Sequence, residues 1–89
     1  MMKYQQTGVG AVDSGAIRDS RGKGLLPVQV ALTGTATYRL LGRVSPEADW
    51  MELRPAASTD CLEAISWVPH LRLEVASGAG TATLWIGEE

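Results

Sequence analysis

Acid–base or nucleophilic catalysis needs titratable side chains that converge, and the nearest approach to that in this sequence is Ser66 with His70, the only histidine. Pro69 interrupts the pair and alternating residues surround it, so the two side chains do not meet as a helical pair would. Glu47, Asp49 and Glu52 could offer oxygens to a hard cation, yet their spacing and the missing glycine do not match a calcium loop. They read as solvated turn acids. Cys61 is the only cysteine, so one copy can build neither an internal disulfide nor a closed zinc set of Cys and His ligands. Gly8-Val9-Gly10 meets Asp13 where a dinucleotide fingerprint needs its third glycine, and residues 21–24 (RGKG) lack the upstream glycine and the Ser or Thr of a phosphate loop. No catalytic residue, metal ligand or cofactor is assigned, and the expectation is a protein that is not an enzyme.

Trp50, Trp67 and Trp85 could instead serve as stacking platforms for a sugar, as interface anchors or as core. Trp85 is out of phase with Leu84 and Ile86, and Leu41 with Tyr38 and Leu40, so each of these two side chains faces away from the main apolar row of its strand. Both are expected in an interface or under local cover from the N-terminal segment. Charge is also uneven. Residues 1–24 carry Lys3, Arg18, Arg21 and Lys23 against Asp13 and Asp19, a net +2, whereas residues 25–89 hold four arginines against eight acids, a net −4. The acidic remainder and the lack of an exposed aromatic series argue against direct nucleic-acid binding and for a protein partner.

These groups must be positioned by a chain of 89 residues, enough for one small domain and no second. Such a domain hides only about 60% of its unfolded surface. With no disulfide or metal to help, burial against copies of itself or a larger body is the expected stabiliser. No apolar run is long enough to cross a membrane, and the first residues lack the apolar stretch of a secretory signal, so synthesis in a reducing cytoplasm is expected.

Half of the ten glycines fall within residues 1–24, which predicts an extended N-terminal arm, ordered only when a neighbour holds it, ahead of a domain at 25–89. Within that domain the hydrophobic period is two. Val28, Val30 and Leu32 alternate with polar or small residues, as do Ala36, Tyr38 and Leu40, then Leu71, Leu73 and Val75, then Ala82, Leu84 and Ile86. Shorter strands are expected at 50–53 and 61–67, the latter also compatible with one helical turn, and residues 54–60 are expected as a loop. Thr33-Gly34 and residues 77–80 (SGAG) read as hairpin turns, the second pairing the last two strands. Six strands or so without a long helix indicate an all-β, antiparallel sandwich or small barrel.

Residues 34–53 (GTATYRLLGRVSPEADWMEL), 69–75 (PHLRLEV) and 77–86 (SGAGTATLWI) resemble small β-sandwich proteins of tailed-bacteriophage particles. The resemblance implies a jelly-roll-like sandwich in a virion. Its role would be capsid decoration (cement), or a small tail or head-tail component, with other virion proteins and copies of itself as partners. The surface expected to carry assembly combines the arm residues Val9, Val12, Ile17, Arg18, Arg21 and Lys23 with Leu41 and Trp85. A carbohydrate-binding sandwich using its tryptophans is the alternative.

Overall fold

Alternating apolar residues give each strand one face that must leave water, and two sheets packed face to face bury all of those faces at once. The computed structural model describes residues 2–17 and 24–87. It is all-β, with strands β1 (Met2–Thr7), β2 (Gly10–Ala16), β3 (Leu25–Thr33), β4 (Ala36–Arg43), β5 (Met51–Ala57), β6 (Cys61–Ser66), β7 (His70–Gly78) and β8 (Thr81–Ile86). The first sheet runs β1-β8-β3-β6 and the second β2-β7-β4-β5, and every pairing is antiparallel. Val28, Val30, Leu84 and Ile86 from the first sheet meet Tyr38, Leu40, Leu71, Leu73 and Val75 from the second, all fully buried.

Among the described residues eight strands replace the expected six, because residues 2–16, read as most of an arm, form β1 and β2. β1 pairs with β8 (Tyr4 opposite Leu84) and β2 with β7 (Val12 opposite Leu73), so this segment completes one edge of each sheet. Few large apolar residues are needed there, since an edge strand covers the core from one side only. The expected loop at 54–60 is also partly strand. β5 continues to Ala57 across Pro55, with two register shifts against β4. Pro and bulges suit an edge strand, where they discourage a further strand from adding.

β7 and β8 do not pair with each other, and neither do β3 and β4, so the two glycine turns are corners between sheets rather than hairpins. Three such corners meet at one end of the molecule. The Gly80 N–H donates to the Thr35 carbonyl at 2.7 Å and the Gly8 N–H to the Gly80 carbonyl at 3.0 Å. Gly34, at φ +73°, leaves so little room that a side chain there would press on the Gly80 backbone.

The long sides of the sandwich are closed differently. On one, β1 and β2 are joined through Gly8-Val9, and the Tyr4 hydroxyl donates to the Ser14 carbonyl across the gap at 2.7 Å. On the other, Arg54 of β5 reaches Glu63 of β6 at 2.6 Å. Glu63 points inward from an edge strand, in register with Val28. An inward charge satisfied by its own chain is a further guard against strand addition.

Candidate functional site

Two sheets have two outward faces, and they differ in chemistry. On the second sheet, the outward positions of β2, β7, β4 and β5 carry Asp13, Arg72, Glu74, Arg39 and Glu52. Arg72 donates to both carboxylate oxygens of Asp13, at 2.6 and 3.1 Å. Arg39 lies 2.7 Å from Glu74 and 3.6 Å from Glu52. Trp50, just before β5, is held by cations: the Arg43 and Arg72 guanidinium carbons lie 4.2 and 4.5 Å from its ring centroid. The bond from Arg72 holds the Asp13 carboxyl below the usual aspartate range, and Asp13 in turn raises the Arg72 guanidinium. Asp13, Arg72, Glu74, Arg39 and Glu52 thus find their partners within the face.

Leu41 sits within that face, in register with Arg72 and Glu52, and it is buried. Expected in an interface or under local cover from the N-terminal segment, it is already withdrawn from solvent within one chain, and its register neighbours Arg72 and Glu52 carry long side chains whose aliphatic stems can hide apolar surface. Ile17 is likewise core rather than interface, and its N–H donates to the Pro69 carbonyl at 2.8 Å. Val12 faces inward and packs against the core. Val9 lies exposed in the β1–β2 link. Arg18, Arg21 and Lys23 lie outside the described residues.

The first sheet presents the other chemistry. Lys3, Trp85, Gln29 and Leu62 form one row across all four strands. Beside it, Pro27 is in register with Ala64 and Leu25 with Ser66, while Gln5, Thr83 and Ala31 form the row on the other side. Lys3 is the only charged residue among these described outward positions. Its ammonium stands 5.8 Å from the Trp85 ring centroid. Leu62 is 77% and Leu25 55% exposed, and a shallow groove of about 120 Å³ runs between Trp85 and Leu62 over Gln29, bordered by Pro27 and Gly87. Trp85 thus keeps the outward place expected of it. Leu62 was missed as a surface residue, although its phase opposite Cys61 and Ile65 signalled it.

Ser66 and His70 belong to different sheets, and among the described residues no hydrogen bond joins them. Among the described residues, no group of three or more His, Cys, Asp or Glu side chains is placed to hold a metal. Trp67 packs partly buried against the core.

The most perturbed acid lies inside, not on either face. Tyr38 donates from its hydroxyl to the Thr59 carbonyl at 3.1 Å. Burial, then the hydrogen bond between its protonated hydroxyl and neighbouring Cys61, pushes its phenol up to about 12. A phenol ionises near 10 when unfolded, so the folded state holds its proton more tightly. Stability from this group is whole below pH ~10 and is lost as pH rises from there towards about 12. In an absorbance titration at about 295 nm, Tyr38 should therefore ionise with the loss of near-UV dichroism, and Tyr38→Phe should remove that step.

Comparison with protein-family models, with curated proteins and with solved structures finds no match to this chain.

Proposed function

We propose that this chain is a non-enzymatic structural protein of a bacteriophage virion, a capsid decoration subunit that docks on neighbouring subunits through the outward face of its first sheet. The observation that carries the docking face is the contrast between the two sheets. One outward face pairs Arg39, Arg72, Asp13, Glu74 and Glu52 among themselves, while the other has Lys3 as the single charge among its described positions and exposes Leu62 and Leu25 beside a half-buried Trp85. Apolar surface of that kind, centred on a tryptophan and free of charges that need partners, is what an interface core requires.

Two further points support the virion setting. The order β1-β8-β3-β6 facing β2-β7-β4-β5 agrees with the winding of an eight-stranded jelly roll, an architecture used by capsid and lectin domains. The sequence resemblance points the same way. On a particle lattice many copies act together, so each docking face needs to supply only a modest contact.

Sedimentation of the purified chain at rising concentration tests the reading. Association is expected, weakened about thirtyfold by Trp85→Glu, as loss of an interface hot spot of about 2 kcal/mol implies, with the thermal midpoint unchanged. Equal association of the variant and the parent overturns the docking face. A strictly monomeric chain whose tryptophan fluorescence responds to sugars favours a lectin instead.

A further inference from the structure

We propose that β1 is exchangeable: the N-terminal strand of one copy can take the place of its counterpart in a second copy, pairing with that copy's β8. This rests on the reading of the chain as an assembly protein and names one contact that joins its copies.

β1 is the least anchored strand of the first sheet. None of its six residues is fully buried, whereas β8 and β3 each hold several that are. Its inward side chains Met2 and Tyr4 nevertheless cover Ile86 and Leu84, which would be exposed along the β8 edge if β1 left. A vacated edge therefore calls for a strand of this particular pattern. The incoming Tyr4 would donate to the Ser14 carbonyl, and the incoming Gln5 amide to the Thr83 hydroxyl, now 3.2 Å away. A second copy supplies that strand with every contact preserved, so exchange alters the free energy only through the hinge and the association itself.

The hinge is where the closed form is demanding. Gly8-Val9 must carry the chain from one sheet to the other, with Gly8 at φ +70° and Gly10 at φ +151°. Opened to extended backbone, this link needs no left-handed residue, and residues 2–16 become one strand of about 50 Å. Short, conformationally demanding links of this kind favour swapping. Charge does not oppose it, since only Lys3 is charged along the outward side of β1 and β8.

The test uses two full-length variants, Gln5→Cys and Thr83→Cys, which face each other across β1 and β8. Neither can form the 5–83 disulfide within one chain. Mixed, unfolded and refolded together at high concentration, then oxidised, they should give 5–83 linked peptides by mass spectrometry. A mixture of Gln5→Cys with Thr33→Cys, a position one strand further across the same face, measures chance collision. The 5–83 linkage is expected to exceed the 5–33 linkage more than tenfold. Equal yields, or no 5–83 linkage, overturn exchange. Concentration-dependent association that still falls with Trp85→Glu would in that case leave the docking face standing.

Discussion

Leu40→Ala is expected to lower stability by about 3–4 kcal/mol, the cost of a cavity in a core that cannot close over it. Leu40 is fully buried on the inward side of β4, opposite Leu73 of β7, in the middle of the wall that faces Val30 and Leu84. Strands on both sides fix the backbone there, so neighbours have little freedom to fill the space. A chain of 89 residues has a total stability of roughly 4–13 kcal/mol at about 0.05–0.15 kcal/mol per residue, which makes this one change a large fraction of the whole. Urea titration followed by far-UV dichroism reads it directly. Leu62→Ala is the control: the side chain is 77% exposed, and its loss should move the midpoint by less than about 0.5 kcal/mol. Equal effects at the two sites would mean that the inward and outward assignments are wrong.

Gly78→Ala should cost about 3 kcal/mol for a different reason. Its φ of +98° disfavours any side chain by about 1–2 kcal/mol, and an added Cβ would collide with the Thr35 carbonyl and the Ala36 Cα. Those are backbone atoms in the neighbouring corner, and they cannot rotate away as a side chain could. Overpacking adds about 1–3 kcal/mol. Because the corners containing Gly34, Gly80 and Gly8 are hydrogen-bonded together, the damage should spread to both sheets, and hydrogen exchange should accelerate at the Gly80 and Gly8 amides as well as locally. Gly24→Ala is the comparison. It shares the left-handed conformation, at φ +71°, but has open space around its Cβ, so only the conformational share of the cost remains. A Gly78 variant no less stable than the Gly24 variant would show that the corner can yield.

Both faces and the core trace back to a simple division. Inward rows are apolar on every central strand, and the outward rows split into a set rich in paired charges and a set whose one described charge is Lys3. Pairing on the second sheet neutralises Arg39, Arg72, Asp13, Glu74 and Glu52 without help from another molecule. The first sheet has no comparable means of satisfying Trp85 and Leu62, and that asymmetry gives the molecule a direction in which to associate.

Much of this was legible in the residues. Alternation in 28–32, 36–44, 70–76 and 81–86 established the strands and their inward rows, because a period of two has only one way to keep apolar groups on one side. The outward phase of Trp85 followed from the same rule. Leu41 obeyed the rule as well and still ended buried, since phase says which face a side chain takes but not how long its neighbours' stems are. Residues 2–16 were misjudged for a related reason. Their glycines raise the cost of order in isolation, and only the open edges of β8 and β7 supply the bonds that offset it.

Which strands pair and which merely stack was decided by the tertiary structure alone. The rows Leu71-Leu73-Val75 and Ala82-Leu84-Ile86 are buried as well by facing each other across the core as by lying side by side, so their pattern is the same in either arrangement. The choice is made at the corners, where glycines allow the chain to change sheets and remote carbonyls such as that of Thr35 accept the bonds that hold it there. Local periodicity carries the identity of each strand's inner face, and contacts between residues far apart in the chain carry the order of the strands.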